Sequence, residues 1–186
     1  GTFGIPEFRT NFTRGMIDET KPDCFSDLVR ISGFSHGTNV WIGNAQDLIK
    51  NEICTLKQAI SGREDMLRYF INHGVDDLKS FKIMEKVRKG KGLSAEEVEI
   101  LKSHGVPDWY IDSCQKIKYL FPRAHATAYV MMAYRIAYCK VHYPLAYYAA
   151  YFSVRAEEFD ANEIIKGKSH IKKKIAELEK SAGKNS

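Results

Sequence analysis

With 186 residues, 44% of them hydrophobic and 27% charged, the chain has room for one domain with a real core or two small ones, in the range of soluble globular proteins. The net charge of +5 permits binding to nucleic acid or phosphates without demanding it, and is milder than that of ribosomal or histone-like proteins. The first residues lack the basic start and apolar run of a secretion signal, and the longest apolar stretch, Tyr143 to Val154, falls short of the roughly 20 residues a membrane span needs.

Phe3-Gly4-Ile5-Pro6-Glu7-Phe8 reads as a short strand entered in mid-course, which suggests a piece excised from something larger. Arg9 to Glu19 reads as a helix with Phe12, Met16 and Ile17 on one side, stopped by Lys21-Pro22-Asp23. A short helix over 26–32 precedes a loop from Gly33 to Trp41. Helices follow over about 44–50, 55–59, 63–73, 75–88, 94–104, 107–119, 123–142 and 144–155, the last two broken at Pro144. Ser94-Ala95-Glu96-Glu97 is a capping box. Tyr143, Tyr147, Tyr148, Tyr151 and Phe152, at roughly helical spacing, are expected in a core. A charged surface helix is expected from Asn162 to Lys180, with fraying from Ser181. The fold class is all-α, divided into a strand over 1–8, a helical domain over 9–160 and a charged helix and tail over 161–186. The four cysteines, at 24, 54, 114 and 139, have no CxxC spacing. They are expected to be reduced, largely buried thiols in a cytoplasmic protein, with no metal role.

Two stretches concentrate positive charge. Between 79 and 91 lie Lys79, Lys82, Lys86, Arg88, Lys89 and Lys91 against the single acid Glu85. The lysines at 79, 82, 86 and 89 share one helical stripe, with Ile83, Met84, Val87 and Phe81 on the core side. A stripe of one sign suits a polyanion, although a merely solvated face has the same pattern. Gly90 and Gly92 would let backbone N–H groups approach phosphate oxygens. The second stretch is FPRAHATAY, 121–129, which opens the longest helix with Arg123 and His125 where cations oppose the helix dipole. An anionic ligand there would compensate, with a phosphate on the free N–H groups and the Tyr129 ring offered to a base. Tyr129 as a core aromatic and His125 as a satisfied polar residue is the competing reading.

Ser35-His36-Gly37-Thr38 pairs Ser with His, but neighbours on a glycine loop without a placed acid do not make a catalytic triad. No pair of carboxylates sits between apolar strand residues, the arrangement that two-metal phosphoryl chemistry requires. No catalytic or metal-binding residue is therefore expected in this chain.

FGIPEF, CFSDLVRISGFSHGTNVWIGNAQDLI, SFKIMEKVRKGKGL, the run from VPDWYIDSC through FPRAHATAY to VRAEEFD, and IIKGKSHIKKKIAEL together resemble the PolC-type bacterial DNA polymerase III alpha subunit. FPRAHATAY is also similar to the histidine–alanine–tyrosine helix of C-family replicative polymerases. The resemblance covers essentially the whole chain and implies the fingers domain, starting near the palm edge. It implies a DNA-directed DNA polymerase whose catalytic aspartates and Mg²⁺ belong to a palm upstream of this chain. The implied partners are primer–template DNA, deoxynucleoside triphosphates, the remaining polymerase domains and the sliding clamp, with no membrane. On the resemblance, Lys82, Lys86, Arg88, Lys89 and Lys91 would meet triphosphate or DNA backbone. Arg123 and His125 would line the pocket, Tyr129 would pack on the nascent base pair, and Ser35, His36 and Thr38 would form a loop nearby. The two cationic clusters are expected to converge on one cleft. A free-standing helical nucleic-acid-binding module, or an interaction domain whose lysines are only solvated, is the alternative.

Overall fold

The computed structural model describes residues 1–155 and 159–182. Helix α1 (Asn11–Thr20) starts where the Thr10 hydroxyl accepts from the Thr13 N–H, and ends at Lys21 with a left-handed φ of 45°. Helix α2 (Phe25–His36) buries Val29, Ile31 and Phe34. A kinked π-like turn, Trp41–Ala45, leads into α3 (Gln46–Lys50). Four helices follow: α4 (Arg63–Asn72), α5 (Asp77–Arg88), α6 (Ala95–Ser103) and α7 (Asp108–Lys116). The 20-residue α8 (Arg123–His142) comes next, then α9 (Pro144–Val154), α10 (Ala161–Ile164) and α11 (Lys168–Ala182).

The all-α class and the Ser94–Glu97 capping box stand as expected. The strand over 1–8 does not form. Gly4 and Glu7 take φ values of 73° and 68°, and Ile5 and Phe8 close tight turns onto Thr2 and Pro6, so both side chains enter the core instead of a ladder. Among the described residues the one β pairing is an isolated antiparallel bridge between Thr38 and Tyr119. Residues 55–59 form turns rather than a helix. Helix α2 runs on through Ser35 and His36, which the sequence reading assigned to a loop, because the His36 ring nitrogen and the Ser35 hydroxyl both engage the Ser32 carbonyl. Phe81 is 48% exposed, and Ser80 takes its place on the buried face of α5. The expected tail helix is split at Gly167, whose φ of 86° ends the first piece.

The chain packs as two units, Gly1–Tyr138 and Cys139–Ser186. The first holds the continuous core, including the fully buried Phe34, Phe70, Met66, Ile83, Leu101 and Tyr110. In the second only Tyr147 of the expected aromatic core is buried; Tyr148, Tyr151 and Phe152 are half-buried and Tyr143 is exposed. Cys54 and Cys114 are buried, and burial pushes the Cys114 thiol far above its ordinary range, whereas Cys24 and Cys139 are exposed, against expectation. Among the described residues no helix is long and apolar enough to cross a membrane.

Candidate nucleotide and nucleic-acid interface

The cationic start of α8 is compensated from within the protein. The Arg123 backbone N–H donates to Glu64 Oε2 at 2.9 Å, and its guanidinium pairs with Asp65. Both acids lie in the first turn of α4. A carboxylate at a helix start satisfies a free N–H and complements the dipole, which offsets the placement of Arg123. Asp65 also accepts from Arg30 Nη1 at 3.3 Å, from the Ser61 hydroxyl at 2.6 Å and from the Gly62 N–H at 3.2 Å. The anion called for by the sequence is therefore present as a pair of side chains.

What lies open beside that lock is aromatic. The His36 ring stacks on Phe121 with centroids 4.7 Å apart, Phe121 meets His125 edge-on at 5.1 Å, and His125 stacks on Tyr129 at 4.5 Å. His125 and Tyr129 are both exposed, Tyr129 by 43%. His36 is held by its contact to Ser32 and by Glu7, 3.3 Å from Nε2. The Thr38 N–H donates to the Tyr119 carbonyl and the Lys118 N–H to the Thr38 carbonyl, each at 3.0 Å. The end of α2, the Thr38 turn and the entrance to α8 thus meet at the segment 117–122.

The same segment receives the end of α5. The Leu120 N–H donates to the Arg88 carbonyl at 3.2 Å, and Gly90 packs so closely that a Cβ on it would lie 2.6 Å from the Lys118 carbonyl oxygen. Gly92 lies against the Gln115 side chain, which bonds both backbone groups of Leu93. These glycines therefore serve internal packing.

Half of the cations between 79 and 91 are already paired. Lys86 Nζ lies 2.6 Å from Glu97 of α6. Arg88 grips Glu85 with two donors, and Lys89 reaches the same carboxylate at 3.2 Å. The hydrogen bond from Arg88 is the main reason that the Glu85 carboxyl is held down at about 2. Burial raises the Glu97 carboxyl, but hydrogen bonds from Lys86 and Ser94 outweigh it, and the net shift is downward. Lys82, Lys91 and Lys118 are exposed and have no ion pair among the described residues. Lys86 thus turns to α6 and Arg123 to α4, each to its own acid.

The fold brings together His36, Thr38, His125 and Tyr129, with Ser35 beside His36, and joins to them the backbone of Arg88. Two contributors escaped the sequence reading. Phe121 was legible in principle, since 121, 125 and 129 recur at the helical spacing of four. Asp65, 58 residues before Arg123, carried no local signal. An apolar groove of about 270 Å³ between α1 and the Trp41 turn, lined by Phe12, Met16, Trp41 and Ile42, holds none of these groups.

Residues 1–105 match the bacterial DNA polymerase III alpha subunit finger domain family. The chain is 59% identical over 179 residues to the PolC-type DNA polymerase III of Caldanaerobacter subterraneus subsp. tengcongensis, which covers 96% of this chain and 13% of that protein. It is 60% identical over 172 residues to the PolC-type DNA polymerase III of Bacillus subtilis strain 168, covering 92% of this chain and 12% of that protein. For the Staphylococcus aureus NCTC 8325 protein of the same name the identity is 57% over 178 residues, 96% and 12% of the two chains. The chain thus spans only 12–13% of the length of these curated relatives.

Proposed function

The chain belongs to the bacterial DNA polymerase III alpha subunit finger-domain family, and from that premise we propose that it handles substrate in a PolC-type replicative polymerase. On this reading it binds the incoming deoxynucleoside triphosphate and the primer–template DNA, while the transfer chemistry rests on residues outside it. The carrying observation is the run of contacting rings His36, Phe121, His125 and Tyr129, of which His36, His125 and Tyr129 are exposed and Phe121 is half-buried. A base laid on such a ring gains about 1–3 kcal/mol whatever its identity, which suits an enzyme that must accept four bases.

Phosphate recognition falls first to Lys82, Lys91 and Lys118, which have no carboxylate to leave. Lys86, Arg88 and Lys89 reach a phosphate only by exchanging Glu97 or Glu85 for it. Arg123, tied to Asp65, positions the start of α8 and with it His125 and Tyr129. Ser35 and Thr38 shape the wall beside the stack. Cations placed in advance stabilise the charge that spreads over triphosphate oxygens without entering the reaction.

Such transfer draws on a divalent ion, Mg²⁺ by our reading. The carboxylates around the stack do not fit one: Glu64 and Asp65 serve Arg123, Arg30 and the α4 cap, and Glu7 is paired with His36. The metal-dependent step therefore belongs to other parts of the polymerase.

In the full-length polymerase, Tyr129→Ala is expected to raise the nucleotide KM about tenfold, the equivalent of about 1.4 kcal/mol of lost stacking. Steady-state kinetics with KM and kcat both unchanged would remove the stack from substrate binding.

A further inference from the structure

We propose a transition-metal site at the start of α2, formed by Asp23, Cys24 and Asp27. One carboxylate oxygen from each aspartate and the Cys24 Sγ lie within 4.8 Å of one another. Asp23 and Cys24 are exposed, whereas Asp27 is only 4% exposed. Asp27 supplies the independent sign of a ligand. Its Oδ1 is buried with no hydrogen-bond partner, and its Oδ2 meets the Asp23 N–H at a long 3.5 Å. That contact leaves the second oxygen unsatisfied, a state that costs free energy unless a cation or an ordered water fills it.

The thiol decides which cation. Mg²⁺ and Ca²⁺ take oxygen donors, whereas a thiolate with two carboxylates suits Zn²⁺ or Co²⁺. Tetrahedral coordination with metal–sulfur bonds of about 2.3 Å and metal–oxygen bonds of about 2.1 Å sets the donors about 3.4–3.6 Å apart. Donors within 4.8 Å of one another need to close by at most about 1.4 Å, which the exposed Asp23 and Cys24 side chains can do by rotation. The Cys24 Sγ now lies 3.2 Å from the Ser26 hydroxyl, a weak contact to give up. Three anionic donors outweigh the partial positive charge of the helix start. When the Sγ–metal bond forms, the thiol proton passes to solvent and no oxidation state changes. The fourth position is left to water. The cysteine spacing concealed this site because its other donors are aspartates one residue before and three residues after Cys24.

The test uses Co²⁺ as a spectroscopic substitute, titrated into the chain with a thiol-free reductant. The expected result is a thiolate-to-cobalt charge-transfer band that saturates at one equivalent, is displaced by Zn²⁺ and is absent in Cys24→Ser. Asp27→Asn should weaken binding by tenfold or more. If circular dichroism shows that variant unfolded, the exposed Asp23→Asn carries the same expectation. Absence of the band would mean that water fills the space beside Asp27. A band surviving in Cys24→Ser would assign the metal to another thiol such as the exposed Cys139. Either outcome overturns the site.

Discussion

Asp65 accepts from Arg30, Ser61, Gly62 and Arg123, so one carboxylate ties α2, the start of α4 and the start of α8 together. Its side chain is 11% exposed, against 14% for Arg30 and 36% for Arg123. Removing the charge of Asp65 leaves two guanidinium groups short of their counter-ion, one of them largely buried. Breaking a buried pair costs about 3–5 kcal/mol and an exposed pair at most about 1 kcal/mol, so an intermediate loss is expected. Asp65→Asn should lower the unfolding free energy by about 2–3 kcal/mol, read from urea denaturation. A change below about 0.5 kcal/mol would show that the guanidiniums are satisfied by solvent and that Asp65 organises nothing.

At the scale of elements, the site depends on the segment 117–122, which has no regular structure of its own and is held by bonds to Thr38 and Arg88. Gly90 is the tightest point of that seam. Alanine there would meet both a φ of 73° and the Lys118 carbonyl oxygen, whereas Gly105, with a φ of 76°, has open space where its Cβ would go. Comparing Gly90→Ala with Gly105→Ala separates the two costs. Both pay the backbone strain of about 1 kcal/mol, and Gly90→Ala should lose a further 1–3 kcal/mol or so by overpacking. Hydrogen exchange at the Leu120 and Thr38 amides should quicken only in Gly90→Ala. Equal effects of the two substitutions would mean that the seam gives way freely and does not fix the entrance to α8. The sequence marked the two glycines but not their use: the pattern RKGKG has the same look whether its backbone faces a phosphate or a neighbouring chain. Helix starts were readable where the signal was local, as at Ser94 and Pro144. The turns over 1–8 were not, because a short run carrying Phe3, Ile5 and Phe8 reads as a strand whether or not a partner strand exists to pair with.

For the whole molecule, the members of the continuous core all precede Tyr138, although five aromatic residues between 143 and 152 looked like core in the sequence. Spacing reveals which rings share a helix face, but not whether enough chain surrounds that face to cover it. Likewise the lysine stripe was legible as charge, and Glu85 lay within local reach of Lys89, while the Glu97 partner of Lys86 depended on where α6 packs. Stability should follow the observed core. A chain ended at His142, which keeps α8 whole, loses Tyr147 as its one buried large side chain among the described residues and retains all the Asp65, Phe121 and Gly90 contacts. Burying one aromatic is worth about 1.5–3 kcal/mol, and the Tyr147 backbone N–H donates to Tyr143, which leaves with it. The shortened chain is therefore expected to unfold in one cooperative urea transition, with its midpoint close to that of the 186-residue chain. Loss of cooperativity, or a midpoint shifted by more than about 1 M, would mean that the residues after 142 complete the core of the first unit, and that the candidate site cannot stand without them.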